Sequence, residues 1–321
     1  MIVLDTILQG EQYWENLKRR YPFASFLTAE ASASNDAAVL VSRIEPIDIE
    51  AFPKLQWVQY IGTGVDGILD DPIMESDIIL TNASGVAAVP MAEFVLTTML
   101  SMSRDFGTLR KLQRRKSWEG MFGGEELGEK VVGILGYGSI GREVARLCAA
   151  LGMKVLATKR RPLATFDGGY APRGCGDKWA EIPDHIYGSD ELAEMVEQVD
   201  FLVIAVPLTE ETRGIVGWEE LELLPDGYLV NVGRGQVVDE SALLRVLESG
   251  HLRGAALDVF ADEPLREDSP FWKMENVLVS PHISCHTPLY WNRFTELLGE
   301  NMERFLSRKQ LLNQIDKRAG Y

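Results

Sequence analysis

Short, nearly uninterrupted apolar runs alternate along the chain with segments whose apolar positions recur every three or four residues. That is the pattern of buried parallel strands joined by amphipathic helices. Runs at residues 2–8, 37–41, 57–61 and 78–80 predict strands in the first part of the chain. A long helix should follow, because Pro90 suits a first helical turn and residues 91–116 contain no further proline. From Val131 the alternation resumes, with strands expected at 131–135, 154–158, 201–206, 228–232, 255–259 and 277–279 and a helix at 190–197. After Pro281 only one long helix, 290–308, is expected, and it should pack back on the first unit and make that unit discontinuous. The predicted fold class is α/β, with two doubly wound parallel-sheet domains: 1–100 plus 285–321, and 101–284.

The strand at 131–135 runs directly into Gly136-Tyr137-Gly138-Ser139-Ile140-Gly141 and then into an amphipathic helix. This is GxGxxG in the strand-turn-helix context that a dinucleotide site requires. Gly136 permits a tight turn, Gly138 lets backbone approach a pyrophosphate, and Gly141 lets the helix pack on the strand. The helix N-terminus then offers N–H groups and a positive dipole to the phosphates. The next strand should end in a carboxylate for the ribose 2′-hydroxyl of NAD, but it ends in Lys159-Arg160-Arg161, and no Asp or Glu lies between Glu143 and Asp167. An acid there would repel a 2′-phosphate, whereas Lys159 and Arg160 would attract it. NADP(H) is therefore the expected cofactor, with NAD(H) as the alternative. The connection 161–189, rich in glycine and proline, is unusually long and reads as a flap at the adenosine end of that site.

Composition narrows the picture. At 321 residues the chain exceeds what one core usually organises, and 46% apolar residues suffice for two. A formal charge of −16 argues against a nucleic-acid partner and requires local cations to gather an anionic substrate. No membrane span is expected, and Asp5 directly after Met1-Ile2-Val3-Leu4 gives no secretory leader, so the cytoplasm is the expected compartment. Cys148, Cys175 and Cys285, at unrelated spacings, read as reduced thiols.

Three chemically capable residues fall after strands of the second domain, where open α/β sheets bind ligands. Arg234, flanked by Gly233 and Gly235, offers a planar fork for a 2-keto acid. Glu263 follows the next strand, and His282 the last. Hydride reduction of a ketone needs a proton for the developing alkoxide, which histidine supplies near neutral pH. A carboxylate on the far ring nitrogen would set the tautomer and stabilise the protonated ring.

These pieces, with Gly62-Thr63-Gly64-Val65-Asp66, Val206-Pro207-Leu208-Thr209 through Thr212-Arg213-Gly214, Asn231 to Gly235, Gly254 to Phe260 and Pro281-His282, resemble the D-isomer-specific 2-hydroxyacid dehydrogenases, which include glyoxylate and hydroxypyruvate reductases. The resemblance runs over nearly the whole chain. It implies Rossmann-like domains, with Arg234 as substrate anchor, His282 as acid/base and Glu263 as its partner. It also implies cofactor contacts at Val206, Pro207, Thr212 and Val232, Asp258 near the nicotinamide amide, and backbone N–H groups of Thr63 and Gly64 on the carboxylate of a small 2-keto or 2-hydroxy acid. Family members usually carry Asp where Lys159 stands. A homodimer is expected from the resemblance. Two other readings are a nucleotide-sensing corepressor, disfavoured by the acidic charge, and a formate-type dehydrogenase, disfavoured because that type has Gln in place of Glu263.

The remaining motifs have plainer readings. His282 and His286 have a metal-like spacing, but Pro281 and Pro288 bracket them, and no metal is expected. His251 reads as a turn residue, His185 as part of the long loop, and Trp118 as an anchor at the end of the long helix. Phe94, Val95, Met99 and Met102 form a stripe expected in a core or subunit contact, and Tyr60, Met91, Tyr290 and Trp291 are candidate pocket walls.

Overall fold

A computed structural model describes residues 2–5, 11–28, 36–120 and 123–320. The chain divides into two compact units. The first comprises Met1–Ala87, Gly168–Pro172 and Thr287–Tyr321, and the second Ala88–Asp167 and Arg173–His286. The boundary therefore falls at Ala87, ahead of the expected position near residue 100. Five residues of the long connection also belong to the first unit.

In the first unit, β1 (Ile2–Asp5), α1 (Glu11–Arg20), β2 (Ser25–Thr28), β3 (Val39–Ser42), β4 (Trp57–Tyr60) and β5 (Ile79–Thr81) build a parallel sheet in the order β2-β1-β3-β4-β5. β2 was not expected; its apolar pair, Phe26 and Leu27, is too short to register as a run. Alternate side chains separate cleanly. Val39, Val41 and Trp57 face one apolar cluster, while Leu40, Val58, Tyr60 and Leu80 face another.

In the second unit, α2 (Ala88–Ser103) packs on the fingerprint helix α4. The other elements are α3 (Phe106–Arg115), β6 (Val131–Leu135), α4 itself (Ser139–Ala150), β7 (Lys154–Thr158), β8 (His185–Tyr187), α5 (Leu192–Val196), β9 (Phe201–Ile204), α6 (Trp218–Glu222), β10 (Tyr228–Asn231), α7 (Glu240–Glu248), β11 (Gly254–Leu257) and β12 (Val277–Val279). The sheet order is β12-β11-β10-β9-β6-β7-β8, with every pair parallel. Strand order reverses between β6 and β9, so the crevice beyond their carboxyl ends is the ligand position of this topology.

Three expectations need correcting here. The expected helix 91–116 is two helices, because Asp105 takes a left-handed φ of 46° and its carboxylate caps α3 at Thr108 N–H, 3.1 Å away. Trp118 is fully exposed and anchors nothing. His185 lies in β8, not in a loop.

The chain returns to the first unit with α8 (Tyr290–Leu306), whose Phe294, Leu297, Leu298 and Met302 complete the Trp57 cluster. A buried amide network seats it. Asn301 donates to Gln59 Oε1 at 3.0 Å and accepts from Leu312 N–H at 2.7 Å, while Gln59 also takes a bond from Thr81 at 2.9 Å. Asn301→Leu would orphan the Leu312 backbone groups in an apolar surround. Each buried orphan costs about 1–3 kcal/mol, so a loss of roughly 2–4 kcal/mol is expected in denaturant unfolding. The exposed Asn292→Leu control should change stability by less than about 0.5 kcal/mol.

Candidate active site

The fingerprint turn sorts its glycines by function. Gly136 has a φ of 103°, and a Cβ there would meet Val206 at 2.7 Å. A Cβ on Gly141 would lie 2.2 Å from the Gly136 carbonyl oxygen. Gly141 is thus demanded by packing of α4 on β6, and Gly136 by its left-handed φ and the close approach of the segment after β9. Gly138 differs: it is the extended N-cap of α4, and a Cβ there would meet nothing within 4 Å. The space left open at the head of the helix fits an approaching pyrophosphate. Ser139 and Ile140 form the first turn beside it. Tyr137 is used internally, with its N–H on the Thr158 carbonyl at 3.0 Å and its hydroxyl on Asp177 at 2.6 Å.

At the tip of β7, Lys159 is half-buried, and Arg160 and Arg161 are exposed. Burial, reinforced by the nearby Arg142 cation and opposed by Asp167, pulls the Lys159 ammonium below its ordinary range. Its Nζ donates to the Ala164 carbonyl. Beyond β9, Val206 and Pro207 lead into a turn in which the Thr212 hydroxyl accepts from Thr209 N–H at 2.8 Å and donates to the Pro207 carbonyl at 2.7 Å.

The proposed acid/base residues come together on neighbouring loops. Val232, buried, follows β10, and Asn231 folds the turn after it by accepting from Gly233 N–H and donating to the Arg234 carbonyl, each at 3.0 Å. A Cβ on Gly235 would sit 1.8 Å from the Phe260 carbonyl carbon, so the Arg234 and Glu263 loops touch backbone to backbone. The half-buried Arg234 guanidinium donates to the Gly233 carbonyl at 2.9 Å. Glu263 Oε2 accepts from His282 Nδ1 at 2.8 Å, and its other oxygen accepts from Phe260 N–H at 3.0 Å. Since the carboxylate only accepts, Nδ1 carries the proton, and Nε2 remains for chemistry on a ring that is 44% exposed.

Asp258 has a visible structural task. Its buried carboxylate accepts from Ser280 Oγ at 2.7 Å, Ile283 N–H at 3.0 Å and Ser284 N–H at 3.1 Å, and its carbonyl accepts from His282 N–H at 2.8 Å. His282 is thereby held at a φ of 55°, a left-handed conformation rare for histidine. Glu240, at the start of α7, accepts from Ala261 N–H at 2.6 Å and Gln236 donates to the Ala261 carbonyl at 3.2 Å, so both brace the Glu263 turn. Sequence reasoning missed Glu240 and Gln236, since one acid at a helix start reads only as a dipole partner.

In the first unit, Thr63 and Gly64 lie half-buried on the loop after β4, tied by the Asn82 amide to the Thr63 carbonyl at 2.9 Å. Tyr60 is fully buried in the second apolar cluster and is no pocket wall. Tyr290 donates to the Ile61 carbonyl, and Trp291 packs on the first cluster. Met91 is buried in α2, where Val95 and Met99 are core residues.

A Rossmann sheet with this fingerprint and a paired histidine defines a nicotinamide-dinucleotide oxidoreductase. Residues 96–284 match the model of the D-isomer specific 2-hydroxyacid dehydrogenase NAD binding domain. A glyoxylate reductase of Korarchaeum cryptofilum is 32% identical over 84% of this chain and 80% of its own. A glyoxylate/hydroxypyruvate reductase B of Yersinia enterocolitica is 33% identical over 76% of this chain and 72% of its own. Among solved structures, a D-isomer specific 2-hydroxyacid dehydrogenase of Xanthobacter autotrophicus, in complex with NADPH and MES, superposes with a TM-score of 0.82 at 30% identity, covering 100% of this chain and 99% of that one. The chain belongs to the D-isomer-specific 2-hydroxyacid dehydrogenase family.

The contrast between glycines is testable. Gly138→Ala should change unfolding free energy by less than about 0.5 kcal/mol. Its KM for the nicotinamide cofactor should rise roughly tenfold or more, equivalent to about 1.4 kcal/mol. Gly141→Ala should lower the thermal midpoint even without ligand, read by differential scanning fluorimetry.

Proposed function

We propose that the protein reduces a small 2-keto acid, glyoxylate or hydroxypyruvate, to the D-2-hydroxy acid with a preference for NADPH. The observation that carries the reading is the His282–Glu263 pair at 2.8 Å, on the loop that adjoins the Arg234 turn at the strand ends of a dinucleotide-binding sheet. Residues 136, 138, 139, 140 and 141 hold the pyrophosphate, Val206, Pro207, Thr212, Val232 and Asp258 line the rest of the dinucleotide, and Lys159 and Arg160 bind the 2′-phosphate. The bound cofactor supplies the hydride. Arg234 holds the keto acid by its carboxylate and carbonyl oxygens, and its cation stabilises the negative charge that grows on the carbonyl oxygen. His282 Nε2 gives that oxygen its proton, and Glu263 holds the ring and stabilises its protonated form before transfer. Thr63 and Gly64 N–H groups take the carboxylate.

The relatives that carry glyoxylate and hydroxypyruvate reductase names support the substrate class, and the NADPH complex of the similar structure supports the cofactor. The reading includes a homodimer in a reducing cytoplasm, in keeping with the free thiols of Cys148, Cys175 and Cys285. Among the described residues, no helix is long and apolar enough to cross a membrane. The deciding experiment is kcat/KM for glyoxylate, hydroxypyruvate, pyruvate and phenylpyruvate with NADPH and NADH. Absence of turnover on all four would defeat the reading.

Catalytic roles follow from variants. His282→Ala should abolish turnover while NADPH still binds, and Glu263→Gln should retain part of the rate. Arg234→Lys keeps the charge but loses the fork, costing about 2–4 kcal/mol, or roughly 30- to 1,000-fold in kcat/KM. Near-normal rates in either the His282 or the Arg234 variant would remove that residue from the mechanism.

Cofactor choice has its own test. Lys159→Asp with Arg160→Ser should raise KM for NADPH, spare kcat and bring NADH into use. The pH dependence has a definite sign. Because burial lowers the Lys159 pKa, its charge is complete at lower pH and is lost as pH rises, before the ordinary lysine value of about 10.4 is reached. The wild-type NADPH/NADH ratio of kcat/KM should therefore fall on the alkaline side, and the fall should vanish in Lys159→Met. A wild type that favours NADH would make the cations a solvated strand end.

A further inference from the structure

The connection from β7 to β8 was expected to be a flap, yet within the second unit both of its limbs are fastened to α4. Arg142, 2% exposed, donates from Nη2 to the Thr165 carbonyl at 2.9 Å and from Nη1 to the Asp177 carbonyl, and its Nε lies 3.2 Å from Asp167 Oδ2. Its guanidinium lies over the Tyr137 ring, 4.9 Å from the centroid. The Tyr137 hydroxyl holds Asp177 at 2.6 Å, and the same carboxylate accepts from the Glu181 and Ile182 N–H groups, each at 3.0 Å. Glu143, 1% exposed, accepts from Gly176 N–H at 2.6 Å. A buried cation linked to three partners on one loop is costly unless the loop stays in place, so the cluster fixes that loop.

The fixed limb carries the basic tip of β7. Ala164 N–H closes a turn on the Arg161 carbonyl at 3.0 Å, and Lys159 Nζ donates to the Ala164 carbonyl, next to the Thr165 carbonyl that Arg142 holds. Long cationic side chains lose much rotamer freedom on binding a phosphate, and a preset turn reduces that loss.

We propose that Arg142 is a positioning residue for the 2′-phosphate of the dinucleotide: from the fingerprint helix it locks the limbs 161–167 and 173–177 so that Lys159 and Arg160 stand ready for the phosphate. The inference rests on the reading of Lys159 and Arg160 as the phosphate's ligands. The same helix then serves both ends of the cofactor, with its N-terminal backbone on the pyrophosphate and its Arg142 side chain organising the site of the extra phosphate.

The test compares adenosine 2′,5′-bisphosphate with AMP by titration calorimetry, alongside KM and kcat with NADPH and NADH. Arg142→Lys keeps a cation but cannot span the partners, and Tyr137→Phe removes only the hydroxyl bond to Asp177 at nearly constant volume. Arg142→Lys should weaken the bisphosphate about tenfold or more, with AMP within about twofold, and raise KM for NADPH at constant kcat. Tyr137→Phe should move the same ratio in the same direction by less. Equal weakening of both nucleotides, or full discrimination in both variants, would overturn the positioning role while leaving Lys159 and Arg160 as ligands. Equal binding of both nucleotides by wild type would overturn the 2′-phosphate reading and this inference with it.

Discussion

The carboxylate of Asp258 is almost inaccessible to solvent and must be satisfied by the protein around it. An isolated charge at that depth would cost several kcal/mol, and the hydroxyl of Ser280 with the N–H groups of Ile283 and Ser284 meets the demand. The segment after β12 delivers those donors at the end of β11 with His282 at a left-handed φ. Such a backbone costs on the order of 1–3 kcal/mol, which the buried hydrogen bonds offset. The strain falls on the residue proposed as the acid/base. In this arrangement the imidazole reaches Glu263 at hydrogen-bond distance, 2.8 Å, through Nδ1.

Glycine sterics complete that arrangement. The Arg234 and Glu263 turns could not touch if position 235 carried a Cβ, and the Arg234 turn could not sit against Val206 if position 233 did. These contacts bring the loops after β9, β10 and β11 together backbone to backbone. Close packing of this kind transmits small changes in volume as changes in geometry. Gly138 stands apart because a Cβ there would meet no protein atom within 4 Å.

Electrostatics act on a shorter scale than the net charge suggests. A chain with a formal charge of −16 repels anions at long range, so any phosphate or carboxylate must be captured by cations and N–H groups at contact distance. The two cationic groups in question sit in different settings. Arg234 is held in a half-buried turn, whereas Arg160 and Arg161 are exposed and depend on the loop beneath them for position. That loop draws its order from Arg142 and Asp177, one in the amphipathic fingerprint helix and the other in a connection expected to be a flap.

All strands but β2 and β8 were readable because parallel strands covered on both faces leave continuous apolar runs, and the fingerprint was readable because its glycines answer local steric demands. Arg234, Glu263 and His282 were singled out by the same logic, each in the loop that follows such a run. The break between α2 and α3 was not, since Asp105 in a left-handed conformation leaves no proline or glycine signature. β2 and β8 were too short, with too few apolar positions, to show a period. Asp258, Glu240 and Arg142 carry their roles through partners 21 to 35 residues away, Ile283, Ala261 and Asp177. One-dimensional periodicity reports which side of an element is buried, because that depends on neighbours a few residues apart. Whether a buried charge finds its donors depends on chain segments that only packing brings together, and in this protein those meetings set the conformation of the site.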